Sequence, residues 1–99
     1  MSGYFFRLEM KNFELLDFMV SRIRQAAFNQ KEAARKMGIS QAYLSDVLQG
    51  RRKISVEFAL AFERLTRYEA EQLLIKQVIF EVEQARLGNE NKDYQDEDA

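Results

Sequence analysis

The chain has 99 residues, of which 46% are apolar, and its formal net charge at pH 7 is −1. It contains no cysteine and no histidine, which excludes a disulfide framework, a thiolate nucleophile, a cysteine metal site and the usual imidazole base. No segment approaches the ~20 apolar residues of a membrane span, and the N-terminal segment lacks the plan of a signal peptide. We therefore expect a single cytoplasmic domain with no metal, no cofactor and no membrane partner.

Residues 1–11 are interpreted as a short extended N-terminal arm. Apolar and charged residues alternate from Phe6 to Lys11, which is the period of a half-buried strand. No second strand is visible in the sequence, so a strand here would need another molecule as its partner. Two interpretations stay open: such a strand, or an extended arm that lies on the helices.

The first two helices are predicted from their capping residues. Asn12 can cap a first helix that runs to about Phe28. Asn29 and Glu32 have the Asn-x-x-Glu spacing of a capping pair, which predicts a second helix over about residues 30–37.

A tight turn and a third helix follow. Gly38 tolerates the positive φ that ends a helix, and Ser40 can cap a third helix over about residues 41–49. One edge of that helix is apolar at helical spacing, which indicates burial; its members are Leu44, Val47 and Leu48. The opposite face is short and polar, as a helix that enters a DNA groove requires.

Two further helices complete the predicted domain, which spans residues 12–88. Ser55 can cap a fourth helix that ends at about Leu65. Thr66 and Glu69 have the spacing of a capping box before a long fifth helix, which is predicted to end near Gly88.

The fifth helix is apolar on two faces, which predicts two packing partners. One broad face is assigned to the protein's own core and holds Leu74, Ile75, Val78, Ile79, Val82 and Ala85. The roughly opposite face is the first candidate for a homodimer contact and holds Leu73, Phe80 and Leu87. The second candidate is the aromatic part of the arm, Tyr4, Phe5 and Phe6. In the alternative interpretation, Phe80 packs under the arm of its own chain.

Charge is divided along the chain. Residues 22–53 hold eight basic and two acidic residues, a local net charge of +6, whereas residues 54–99 hold five basic and eleven acidic residues, a local −6. A basic footprint confined to the segment with the turn is typical of a surface that docks on nucleic acid. The acidic residues 89–99 are predicted to form a disordered tail.

From Gln30 to about Leu65 the chain resembles the lambda-repressor/Cro type of helix-turn-helix protein. The resemblance is carried by Gln30, Ala34, Gly38-Ile39-Ser40, Leu44-Ser45 and Gln49-Gly50. It implies an all-α, five-helix DNA-binding domain with the arm and the tail outside it. The implied function is a regulator of transcription, with a repressor favoured, that acts as a homodimer on a palindromic operator in double-stranded DNA. A helical domain with the same turn and no DNA role is the alternative.

The resemblance also assigns roles to residues. Positions that would read bases are Gln41, Ala42, Ser45 and Asp46. Positions that would hold phosphates are Gln30, Tyr43, Gln49, Arg51, Arg52 and Lys53. Asp46 has two interpretations, since its carboxylate could accept a hydrogen bond from cytosine N4 or form a salt bridge with Arg51 or Arg52.

Other functions are weighed against this one. The segment from Gly50 to Leu65, together with Gln77, also resembles the HigA/VapI-like branch of antitoxins, although residues 74–76 lack the tryptophan-centred motif of that branch. That resemblance implies a toxin partner and autoregulation of the operon. Ala42 and Asp46 motivate a third reading, a protein-binding module that has lost DNA binding. An enzyme is disfavoured, because no convergent carboxylate pair and no Gly-rich phosphate loop is present.

Overall fold

The computed structural model describes the backbone of residues 2–98 and the side chains of residues 14–88. Within that part of the chain the backbone forms five α-helices and no strand, as the sequence predicts. They are α1 (Ser2–Ala26), α2 (Gln30–Met37), α3 (Gln41–Leu48), α4 (Val56–Thr66) and α5 (Ala70–Asp98). Among the described residues, no helix combines the length and the apolar character needed to cross a membrane.

The core is built around α4, which contacts α1, α2 and α5. Phe58 and Phe62 lie one turn apart on this helix, and both side chains are fully buried. Each of the other four helices contributes at least one fully buried side chain to the same core: Met19, Met37, Leu44, Val47 and Leu73.

Aromatic rings run through this core in a continuous line. Tyr43 of α3 meets Phe58 edge to face, with ring centroids 5.8 Å apart, and Phe58 stacks on Phe62 at 6.4 Å. Beyond Phe62 lie Tyr68 at 6.3 Å and Phe18 of α1 at 6.4 Å. These separations are in the range where aromatic pairs attract beyond simple burial, so the orientation of α3 is tied to α1 through α4.

The conformation predicted for the N-terminal arm is wrong. α1 begins at Ser2 and includes residues 4–11 and Asn12, so this backbone is helical, and Asn12 is not the N-cap of the first helix. The physical reason is local: the segment from Leu8 to Lys11 consists of strong helix formers, and residues 2–98 include no strand that could pair with an extended arm. The side chains of Tyr4, Phe5 and Phe6 lie outside the described residues, so the dimer contact assigned to them stays a prediction.

The end predicted for α5 is also wrong, because the helix continues through Gly88 to Asp98 and includes the segment expected to be disordered. One glycine costs a helix only about 1 kcal/mol relative to alanine, and the sequence has no proline that would stop the helix.

The start of α5 differs from the predicted capping box. The hydroxyl of Thr66 donates to the carbonyl oxygen of Phe62 at 2.8 Å, back into α4. The first amide of α5, that of Ala70, instead donates to the carboxylate of Glu63 at 3.1 Å. A carboxylate at this end suits the positive pole of the helix dipole.

The two faces of α5 are exchanged relative to the prediction. Leu73, a predicted dimer contact, is fully buried in the protein's own core, and Phe80 and Leu87 are half-buried. Phe80 lines a cleft of about 390 Å³ together with Leu15 and Phe18 of α1. On the face assigned to the core, Leu74 is half-buried and packs against the core as predicted, but the other large side chains are exposed: Ile75, Val78, Ile79 and Val82. Both faces are apolar, so hydrophobicity alone did not decide which one turns inward.

A buried amide on the inward face helps to explain this choice. Gln77 is only 7% exposed, and its side-chain oxygen accepts a hydrogen bond from the backbone amide of Ile54 at 3.3 Å. Its side-chain nitrogen donates to the carboxylate of Glu81 at 2.8 Å. Since Ile54 directly follows the basic residues 51–53, Gln77 attaches α5 to the end of that loop.

Replacing Gln77 by leucine should lower the free energy of unfolding by about 1–3 kcal/mol, because the buried amide of Ile54 loses its acceptor. The matched control is Gln84→Leu, an exposed position on the same helix, where a change within about 0.5 kcal/mol is expected. Urea unfolding of both variants measures the difference. Equal, small effects would show that the hydrogen bond to Ile54 contributes nothing.

Candidate nucleic-acid interface

The first helix of the site is α2, and its N-terminus is capped as predicted. The side-chain oxygen of Asn29 accepts from the backbone amide of Glu32 at 2.8 Å. The carboxylate of Glu32 reaches back to accept from the amide of Phe28, also at 2.8 Å. Gln30, the first residue of α2, is half-buried at this end of the helix.

The turn after α2 depends on Gly38, whose φ is +73°. Its amide donates to the carbonyl of Arg35 at 3.2 Å, and the amide of Ile39 donates to the carbonyl of Ala34 at 3.1 Å. This pair of bonds is the Schellman motif, which needs a left-handed residue at the position of Gly38. The predicted role of the glycine is therefore confirmed.

α3 leaves the turn with one edge buried and one face exposed. Ser40 caps it as predicted, because its hydroxyl oxygen accepts from the amide of Tyr43 at 3.0 Å. Leu44 and Val47 are fully buried and hold the helix against the core. The outward face consists of exposed and half-buried side chains that include the four residues predicted to read bases, Gln41, Ala42, Ser45 and Asp46, and it continues into Gln49, which is predicted to hold a phosphate.

Polar residues at the end of α3 bond to one another. Asp46 and Arg51 form an ion pair with 3.0 Å between carboxylate oxygen and guanidinium nitrogen. Gln49 donates to the hydroxyl of Ser45 at 3.0 Å, and its carbonyl oxygen accepts from Arg51. The sequence left several partners open for Asp46, and in the structure its carboxylate pairs with Arg51.

Tyr43 lies between α3 and the basic loop, which comprises residues 51–53. Its hydroxyl is 2.7 Å from the hydroxyl oxygen of Ser55, which also caps α4 by accepting from the amide of Phe58 at 3.0 Å. The guanidinium of Arg52 lies over the ring of Tyr43, 4.7 Å from its centroid. Tyr43 thus supports the loop, and the three side chains of the loop are exposed.

A cleft of about 340 Å³ separates the start of α2 from the end of α3. Gln30 and Gln49, both predicted to hold phosphates, line it from opposite sides together with Arg24 and Phe28. Sequence reasoning gave Arg24 and Phe28 no role, although Arg24 belongs to the basic segment. Phe28 is 94% exposed, a property that no periodicity in the sequence indicated.

Not all of the basic segment faces this side. The guanidinium of Arg22 lies 5.2 Å from the ring centroid of Phe18 and 5.4 Å from that of Tyr68, so it packs on core aromatics by cation–π contact.

Two short helices joined by a Schellman turn, the second presenting a polar face beside a basic loop, define a helix-turn-helix domain of the nucleic-acid-binding kind. A family model described as helix-turn-helix matches residues 21–73, more than half of the chain. The chain belongs to the Cro/C1-type helix-turn-helix family, a family of DNA-binding regulators. No curated protein and no solved structure matches it significantly.

Gly38→Ala should lower the free energy of unfolding by about 1–2 kcal/mol, because an L-residue is strained at φ +73°. Gly88→Ala is the matched control, since Gly88 lies in α5 with no atom within 4 Å of an added Cβ. There the same change should raise stability by up to about 1 kcal/mol. Thermal or urea unfolding of both variants tests the pair, and a neutral Gly38→Ala would contradict the proposed strain.

Proposed function

We propose that this protein is a sequence-specific regulator of transcription that binds a palindromic operator in double-stranded DNA as a homodimer and represses the gene beside it. The observation that carries the proposal is the outward face of α3. Leu44 and Val47 are fully buried and pack α3 against the core, so the polar face of the helix points away from the core in a fixed orientation. A helix of this kind fits the major groove of B-DNA.

On this face Gln41 is the principal candidate for base readout. It is exposed at the start of α3, and its amide can pair with adenine N6 and N7. Ala42 offers a methyl group to a thymine methyl, and Ser45 can reach a base edge or a phosphate.

The DNA backbone runs along the edges of this face. Gln30 lies at the N-terminus of α2, where unpaired amides and the helix dipole attract an anion. Arg24 lines the same cleft as Gln30 and Gln49. On the other side Arg52 and Lys53 supply positive charge, with Arg52 supported by the ring of Tyr43. Such contacts give affinity and register, whereas base contacts give sequence preference.

A second copy of the chain is required because one recognition helix reads too few base pairs to select a genomic site. Two copies related by a two-fold axis would place their α3 helices one turn of DNA apart, about 34 Å. The exposed row Ile75, Val78, Ile79 and Val82 on α5 supports this arrangement. These residues follow helical spacing, and an exposed aliphatic row of this kind marks an interaction surface.

The charges at the two ends of the row favour a second copy over another partner. Glu71 and Arg86 lie one turn beyond the row at either end, on the same face of α5, and both are exposed. In an antiparallel pair of α5 helices with the two-fold axis between Val78 and Ile79, Glu71 of each copy lies beside Arg86 of the other. The surface is then complementary to itself, as a two-fold interface must be.

Selection of bound sequences from a random duplex pool, at low and at near-physiological salt, tests the function as a whole. A palindromic motif with half-sites about 10 base pairs apart is the expected result. Binding that enriches no sequence and vanishes with salt would overturn the proposal and leave only an electrostatic footprint.

Gln41→Ala should reduce affinity for the selected operator by about 1–3 kcal/mol and relax the preference at one base pair. Arg52→Ala should weaken binding to all sequences alike and reduce the slope of log affinity against log salt by about 0.9. Lys76→Ala, at an exposed position outside both the DNA-binding surface and the exposed row of α5, is the control and should change neither the affinity nor the salt slope. Equal losses for Gln41→Ala on every sequence would contradict its assignment to base readout.

Val78→Glu should convert the dimer into a monomer, because a carboxylate placed at the centre of an apolar contact is buried without a partner. Leu60→Glu is the control, since Leu60 is 45% exposed on α4 and lies outside the row. Sedimentation equilibrium measures both variants.

Glu71→Arg should weaken the dimer, and adding Arg86→Glu should restore it. A monomeric wild-type protein would refute the homodimer and leave the row to another partner, such as the toxin that the antitoxin resemblance implies.

A further inference from the structure

The end of α3 carries a connected network of side-chain hydrogen bonds, which runs from Asp46 through Arg51 and Gln49 to Ser45. The guanidinium of Arg51 donates from Nε and Nη2 to one carboxylate oxygen of Asp46, at 3.2 and 3.0 Å. Its Nη1 donates to the side-chain oxygen of Gln49, whose nitrogen donates to the hydroxyl of Ser45 at 3.0 Å. Three of the four residues belong to the outward face of α3, so Arg51 is held on that face.

Backbone geometry causes this placement. Gly50 has φ +77°, its amide donates to the carbonyl of Val47 at 3.0 Å, and the amide of Arg51 donates to the carbonyl of Asp46 at 2.9 Å. This is a second Schellman motif, and it reverses the chain directly after α3. Arg51 therefore starts beside the backbone of Asp46, and its side chain bonds to the carboxylate of the same residue.

The neighbouring cation is held differently. Arg52 lies over the face of Tyr43, a contact that leaves its full positive charge for a phosphate. The charge of Arg51 is balanced by Asp46, so the pair as a unit adds little to the attraction of the DNA backbone. A guanidinium that is held in one orientation and neutralised by a carboxylate attracts a phosphate weakly. The same fixed orientation suits hydrogen bonds to the edge of a base.

The hydrogen-bonding capacity of the guanidinium supports the same conclusion. Arginine has five N–H groups. Nε, one N–H of Nη1 and one N–H of Nη2 are used within the network. One N–H therefore remains on each terminal nitrogen, and arginine binds O6 and N7 of guanine through a pair of such donors.

We propose that Arg51 reads a guanine in each half-site and that Asp46 is a positioning residue that orients its guanidinium. The resemblance assigns Arg51 to phosphate binding, and for Asp46 the sequence leaves two partners open: cytosine N4, or Arg51 or Arg52 in a salt bridge. This inference rests on the proposed function, because it concerns the same DNA surface. Arg51 then makes a base-specific contact at the end of α3, where the resemblance implies a sequence-independent contact with a phosphate.

The test measures dissociation constants for the selected operator and for variants of it with each base pair replaced in turn. Arg51→Lys keeps the positive charge but loses the two-donor fork, so it should lose about 5- to 100-fold of discrimination at one G·C pair. Arg52→Lys is the matched control and should leave the preference at every base pair unchanged. Both positions are exposed, so the variants should unfold at the wild-type temperature.

Asp46→Ala should reduce discrimination at the same G·C pair, and the double variant Asp46→Ala/Arg51→Lys should lose no more than Arg51→Lys alone, since both act through one contact. If Arg51→Lys and Arg52→Lys weaken all sequences equally, Arg51 is a phosphate ligand and the inference is wrong, while the proposed function stands. If Asp46→Ala only raises affinity uniformly, Asp46 does not position Arg51. A wild-type protein that enriches no sequence would overturn both proposals.

Discussion

Phe58 and Phe62 of α4 are buried completely, and each ring meets an aromatic ring from elsewhere in the fold. Burial of a side chain of this size contributes about 1.5–3 kcal/mol, so this pair stabilises the core by an amount comparable to a large part of a small domain's net stability. Through Tyr43 the same contacts fix α3, and through Phe18 they fix α1. The direction in which the polar face of α3 points is thus a consequence of how α4 is packed.

One helix, α5, connects the surface proposed to bind DNA with the surface proposed to bind the second copy. Gln77 faces inward and bonds to the amide of Ile54, at the end of the basic loop. Val78, the next residue, faces outward in the exposed aliphatic row. Adjacent residues of α5 therefore serve two different surfaces, and a helix is stiff enough to keep their relative positions constant.

The parts of the fold that the sequence predicted correctly depend on short-range geometry. The side chains of Asn29 and Ser40 each bond to an amide three residues further along the chain, and the turn bonds around Gly38 join residues at most five apart. Few other residue types fit these three positions. For that reason α2, the turn and α3 were placed to within one residue. The buried edge of α3, with Leu44 and Val47, followed from helical periodicity alone.

The errors arose where a choice depended on distant contacts. α5 has two apolar faces, and the inward one is selected by packing on α4 and by the bond between Gln77 and Ile54, which are 23 residues apart. The salt bridge between Asp46 and Arg51, one of the two interpretations of Asp46 from the sequence, spans five residues, a spacing that a regular helix does not bring together. It required the left-handed turn at Gly50. The helical backbone of residues 2–11 has a local cause instead, because strong helix formers outweigh the alternation of apolar and charged residues there.

The network formed by Ser45, Asp46, Gln49 and Arg51 also has an entropic consequence. Arginine and glutamine side chains lose up to about 2 kcal/mol of rotamer freedom each when they are immobilised, and interfaces built from mobile side chains lose it at the moment of association. Here the bonds within the network restrict these rotamers before any partner binds. Much of that loss belongs to folding, so docking of α3 starts from side chains that are already ordered.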